Sequence, residues 1–74
     1  MSRLIRMDQT GHTTLAEWSI DDRGAFTAAA DAFEAELGQG YFAVAANADG
    51  RAEQVRQLPI DASLVILRRP IAGG

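Results

Sequence analysis

The N-terminal part of the chain contains two short runs of mixed apolar and polar residues, and their pattern predicts a β-hairpin. Residues 3–7 are aliphatic at their centre, and residues 12–18 are rich in the β-branched and aromatic side chains that favour strands. Residues 8–11 between them are typical of a turn. The period-two pattern of the second run is imperfect, which is compatible with a bulge between Leu15 and Trp18.

A helical pattern follows the predicted hairpin. Apolar residues recur at spacings of four, three and four, and alanines around them raise helix propensity. Asp21 or Asp22 is predicted to cap the first turn, and Gly38 is predicted to adopt the left-handed conformation that ends the helix. The apolar stripe consists of Phe26, Ala30, Phe33 and Leu37.

Three more strands are predicted in the C-terminal half. Residues 41–46 form the first, Asp49 and Gly50 favour a turn, and residues 51–58 form a weak strand or an irregular return. The continuous apolar run 64–67 indicates a central strand covered on both faces. Pro70 lacks a backbone N–H, so this strand should stop near Arg69.

This order of elements predicts an α+β domain in which one helix packs across a mixed sheet of four or five strands. The first and last strands have the strongest aliphatic character, and we expect them to lie side by side at its centre. A chain of 74 residues forms one domain with a thin core.

Composition excludes several classes of function. The chain has no cysteine and a single histidine, His12, which excludes a thiolate or multi-histidine metal site built from one copy. A net charge of −3 disfavours binding to nucleic acid through charge alone. Since no apolar run approaches the roughly 20 residues of a membrane span, we expect no membrane association and a cytoplasmic location.

The sequence shows no constellation typical of an enzyme. His12 is expected at the surface of the hairpin, because no nucleophile or carboxylate is spaced around it. Asp21 and Asp22 are more easily explained as helix caps than as an acid–base pair. Trp18 belongs either to the core or to a sheet edge, and exposed aromatic residues at 41 and 42 would suit either strand packing or a docking patch.

The order hairpin, helix, strand, weak strand, strand, together with the ending Ile71-Ala72-Gly73-Gly74, resembles the β-grasp, ubiquitin-like proteins. The ending is particularly similar to the tails of bacterial sulfur carriers, and residues 58–68 resemble the approach to the last strand of ubiquitin. The resemblance implies a β-grasp domain over residues 1–69 and a flexible tail over residues 70–74.

The resemblance also implies a function for the tail. An adenylating enzyme of the ubiquitin-activating type would use ATP and Mg²⁺ to activate the carboxylate of Gly74, while the domain itself binds no cofactor and catalyses nothing. A sulfur-accepting enzyme or a target protein would then receive sulfur or the chain. Gly73 would give clearance, because a residue without a Cβ fits a narrow channel. The guiding residues would be Arg68, Arg69, Pro70, Ile71 and Ala72.

Three questions remain open at this point. The chain could instead be a β-grasp binding module that docks on a partner protein or enzyme complex and is never linked to it covalently. Within the first hypothesis, sulfur carriage and protein conjugation are not separated, although all seven basic residues are arginine and the chain has no lysine on which to extend lysine-linked polymers. For Arg68 and Arg69, a solvated strand end and a docking role are both compatible with the sequence.

Overall fold

The computed structural model describes residues 1–9, 11–46 and 49–70, and these residues build one helix and one mixed sheet. The prediction of an α+β chain with a helix packed on a mixed sheet is confirmed. The elements in chain order are β1 (Ser2–Asp8), β2 (Gly11–Trp18), α1 (Arg23–Gly38), β3 (Phe42–Ala46), β4 (Ala52–Val55) and β5 (Leu64–Arg68).

The strands lie in the order β2-β1-β5-β3-β4. The pair β1–β5 is parallel, and the other three pairs are antiparallel. The expectation that the first and last strands are neighbours is therefore confirmed. One row of the sheet runs from Ile5 in β1 to Ile66 in β5 and on to Val44 in β3, because these residues are direct cross-strand partners.

The predicted hairpin is confirmed and contains one irregularity. Register between β1 and β2 shifts at Leu4 and Ile5, whose partners are Ala16 and Thr14. Leu15 lies between these two partners and is the extra residue, at the edge of the interval in which a bulge was predicted. Because β2 is at the edge of the sheet, this shift also makes β2 less regular, and a strand of another chain would pair with it less well.

The beginning of α1 confirms the predicted cap. A side-chain oxygen of Asp22 accepts a hydrogen bond from the backbone N–H of Ala25 at 3.0 Å. This bond satisfies one of the N–H groups that the first turn leaves without a partner. Of the two aspartates considered, Asp22 is the capping residue, and Asp21 precedes it in a turn.

The end of α1 corrects the prediction for Gly38. Gly38 is the last helical residue, and Gly40 has the positive φ of 100°. The N–H of Gly40 donates to the carbonyl of Leu37 at 3.0 Å, and the N–H of Tyr41 donates to the carbonyl of Glu36 at 3.2 Å. These two bonds close a Schellman motif, which requires the left-handed residue two positions after Gly38.

The core lies between α1 and one face of the sheet. Phe33 is fully buried at its centre, as the apolar stripe predicted. Trp18 also belongs to the core, since only 1% of it is exposed. Its ring meets Phe26 edge-to-face at 5.9 Å, and its indole N–H donates to the carbonyl of Ile60 at 3.0 Å. The other core residues are Leu4, Ala29, Ala43, Ala45, Leu58, Ala62, Val65 and Leu67.

The expectation that β5 is covered on both faces is wrong. Val65 and Leu67 are fully buried against the helix, but Leu64 and Ile66 are only half-buried. Successive side chains of a strand point to opposite faces, and α1 covers one face alone. Ile66 and its neighbours therefore lie on a face that no described element covers, which we call the open face.

Substitutions at Gly38 and Gly40 distinguish the predicted C-terminal cap of the helix from the observed one. Gly40→Ala should lower the free energy of unfolding by at least about 1 kcal/mol, because alanine is strained at positive φ. Gly38→Ala should be neutral or stabilising by up to about 1 kcal/mol, because alanine favours the helix and the position is spacious. Urea unfolding of both variants measures this, and a larger loss for Gly38→Ala would contradict the assignment.

Candidate functional site

The central strand β5 ends beside an open groove of about 710 Å³. The groove lies between the end of β1, the residue before β3 and the first residues after β5. It brings together Arg68, Arg69 and Pro70, three of the five residues that the sequence analysis assigned to guiding the tail. The complete lining is Met7, Asp8, Gln9, Tyr41, Arg68, Arg69 and Pro70.

The two adjacent arginines at this groove have different surroundings. Arg68 is the last residue of β5 and is paired with Phe42 of β3. Both alternate with the buried Leu67 and Ala43, so they belong to the open face. The guanidinium carbon of Arg69 instead lies 5.2 Å from the centroid of the Tyr41 ring. The pair that the sequence analysis treated as one unit is therefore two separate sites of positive charge.

Tyr41 is held in position by the end of the helix. Its backbone N–H completes the Schellman motif through the carbonyl of Glu36, and its side chain packs against the core. The positive φ of Gly40 turns the chain so that Tyr41 follows the helix directly and leads into β3. The ring consequently lies where the end of α1 meets the end of the sheet.

A second arginine reaches this ring from β1. Arg6 donates to a carboxylate oxygen of Glu36 at 2.9 Å, and its guanidinium carbon lies 6.0 Å from the Tyr41 centroid. The side chains of Arg6 and Glu36 are 31% and 16% exposed, whereas those of the pair Arg3–Glu17 are 54% and 46% exposed. The first pair is less screened by water and is the better-fixed of the two.

We call Glu36, Arg6, Tyr41 and Arg69 the exit cluster, because they surround the position at which the chain leaves β5. Sequence reasoning did not identify Arg6, Glu36 or a role for Tyr41 here. A signal was present for Arg6, since it shares the face of the buried Leu4 two residues earlier. A charged residue at such a position needs a partner, and the sequence does not show that Glu36 supplies one.

The open face is the second candidate surface near the end of β5. Its central row consists of Ile5, Ile66 and Val44, with Thr14 of β2 and Gln54 of β4 at its two ends. Ile5 is 8% exposed although it lies outside the helix-facing core, so its own neighbours on the face cover it. This row is therefore apolar at its centre and polar at its two ends.

The other residues considered as catalytic or metal-binding are dispersed. His12 is exposed in β2, Asp21 is exposed in the turn before α1, and Asp22 is engaged as the helix cap. Within residues 1–9, 11–46 and 49–70, no three His, Cys, Asp or Glu side chains are grouped so that they could hold a metal ion. In the same part of the chain, no helix has the length and apolar character needed to cross a bilayer.

The remaining predicted site residues lie outside the described part of the chain. These are the two tail residues Ile71 and Ala72 and the predicted activation residues Gly73 and Gly74. Pro70, which immediately precedes them, is described and exposed.

A scan against protein-family models and searches of curated proteins and of solved structures gave no match to this chain.

Proposed function

We propose that the chain is a ubiquitin-like carrier or modifier that reacts through the carboxylate of Gly74. The observation that carries the proposal is the position of β5. This strand is hydrogen-bonded on both sides, to β1 and β3, and it brings the chain to the groove at Arg68, after which Pro70 prevents further ladder bonds. Because β5 is hydrogen-bonded on both sides, its position is fixed, and the residues that follow it continue from a defined point of the fold.

The described architecture supports this proposal. A five-stranded mixed sheet with one helix on one face is compatible with a β-grasp domain, which we assign to residues 1–69, with residues 70–74 as its tail. In this arrangement the domain is recognised by a partner and is not itself an enzyme. The proposal requires the carboxylate of Gly74 to be free, whether Gly74 is the natural end or is exposed by processing.

The partner supplies the chemistry in this proposal. A cytoplasmic adenylating enzyme uses ATP and Mg²⁺ to join the Gly74 carboxylate to AMP with release of pyrophosphate. Sulfide-level sulfur from a donor then displaces AMP to give a thiocarboxylate for a sulfur-accepting enzyme. Alternatively, an enzyme thiol displaces AMP to give a thioester, and an amine of a target protein then displaces that thiol to give an amide. Gly73 provides clearance for the approach to the nucleotide. Arg68 contacts the partner from the open face, while Arg69 guides the tail.

Intact mass spectrometry of the protein from its native cells, under non-reducing conditions, tests this function. The wild-type chain should include a species in which sulfur replaces one oxygen, or adducts joined to a target through Gly74. Gly74→Ala should abolish these species, because the added Cβ obstructs the approach of the reacting carboxylate.

Gly38→Ala is the matched control. It makes the same chemical change in the helix, and this variant should retain the modified species. An unmodified wild-type chain in cells that contain the protein at its normal level would overturn the proposal.

The open face favours a second candidate function, a binding module that is never linked covalently. The row Ile5–Ile66–Val44 is apolar, and Arg68 lies beside it at the end of β5. A protein partner with apolar side chains facing this row and a carboxylate facing Arg68 would fit this surface. Gly73 and Gly74 would have no part in such binding.

Ile66→Thr tests the binding module. Threonine keeps the β-branched shape that suits a strand, but it removes apolar surface from the centre of the row. Affinity for a co-purifying partner, identified by mass spectrometry and measured by calorimetry with purified components, should fall about tenfold. Gln54→Thr, at the polar end of the same row, is the control and should bind as wild type does.

Deletion of Gly73 and Gly74 completes the comparison of the two functions. A binding module retains its affinity after this deletion, whereas the carrier loses its modified species. Wild-type affinity in Ile66→Thr would exclude the open face as the docking surface.

A further inference from the structure

Arg69, the first residue after β5, makes a side-chain contact at the point where the backbone leaves the sheet. Arg69 is exposed and no longer belongs to the strand ladder, but its guanidinium lies 5.2 Å from the centroid of the Tyr41 ring. This distance is within the range in which a cation is attracted to the face of an aromatic ring. The contact joins the first residue beyond the sheet to a side chain that is itself anchored in the fold.

Tyr41 is suited to act as a fixed platform for that contact. The Schellman motif at the end of α1 holds its backbone, and core residues pack against its ring. Arg6 approaches the same ring at 6.0 Å, but Glu36 binds the guanidinium of Arg6 at 2.9 Å and so keeps that arginine in place. Among the described residues, Arg69 is thus the arginine of the exit cluster without an ion pair of this kind.

The backbone after Arg69 has little conformational freedom of its own. Pro70 fixes its own φ near −65° and restricts the residue before it to extended conformations. The remaining freedom at this point lies mainly in the orientation of the Arg69–Pro70 unit relative to the sheet. A contact between the Arg69 side chain and a fixed ring reduces that freedom.

We propose that Tyr41 is a positioning residue that holds Arg69 and thereby sets the direction in which the chain leaves β5. The proposal about direction stands on the exit cluster alone, and its consequence for reactivity rests on the carrier function proposed above. Arg68 takes no part, because it belongs to the open face and pairs with Phe42.

The strength of the contact sets the size of the expected effect. Exposed cation–π contacts correspond to roughly a two- to five-fold preference for the bound arrangement. Tyr41 therefore biases the direction of the chain without locking it.

Nitrogen relaxation in solution by NMR tests the positioning role directly. In Tyr41→Leu, which keeps an apolar side chain but removes the ring, the order parameter of the Arg69 Nε–H group should fall. Tyr41→Phe keeps the ring face and should retain the wild-type value. The Nε–H group of Arg68 is an internal control and should be unchanged in both variants. Circular dichroism and thermal unfolding establish that each variant is folded.

The rate at which the native adenylating activity consumes the chain gives the second readout. Tyr41→Leu and Arg69→Gln should each lower this rate about two- to five-fold, and Tyr41→Phe should not. The double variant should lose no more than either single variant, because both remove the same contact.

An unchanged Arg69 order parameter in Tyr41→Leu would overturn the positioning role, whatever the function of the chain. Equal rates for Tyr41→Leu and Tyr41→Phe would show that the ring does not affect the reaction and would also overturn its functional part. If the order parameter falls as expected but no sample contains a modified Gly74, the positioning role stands and the carrier function fails.

Discussion

The parallel pairing of β1 with β5 is the constraint on which the rest of this structure depends. It joins the first and last strands at the centre of the sheet and aligns Ile5 with Ile66. The same register puts Arg6 opposite Leu67, one residue before β5 ends. An isolated hairpin is only marginally stable in water. The β1–β2 hairpin is therefore stabilised by the pairing of β1 with β5, which makes it part of a larger sheet with an apolar face. Both candidate surfaces follow from this single pairing.

Coverage of the sheet by one helix then divides the apolar residues into two groups. Leu4, Val65 and Leu67 contact the helix side and form the core, while Ile5 and Ile66 alternate with them onto the open face. In the part of the chain that the structure describes, one helix is the element that packs on the five-stranded sheet. At the centre of the sheet, Ile66 and Val44 are therefore half-buried on the open face, while Ile5 is buried among its neighbours there.

The end of the helix connects this core to the point where the chain leaves β5. Gly40 permits the Schellman motif, the motif places Tyr41 beside Glu36, and Glu36 in turn holds Arg6. Arg69 contacts the ring that this arrangement has fixed. The helix cap, the ion pair and the cation–π contact each contribute a modest stabilisation. Because they share residues, each contact lowers the conformational entropy that the chain loses when the next contact forms.

The sequence by itself determined the elements and their order: the hairpin, the helix with a cap at Asp21 or Asp22, and the strong central strand that begins at Leu64 and stops near Arg69, since these follow from local periodicity and capping chemistry. Its prediction of Gly38 as the left-handed residue was wrong, because Gly38 and Gly40 both fit a helix end and only the hydrogen bonds of the closed motif distinguish them. Tertiary structure alone decided that β5 has one open face and that Arg68 and Arg69 have different neighbours. Those facts depend on which face the helix covers and on strand register, and both arise from contacts between residues far apart in the chain.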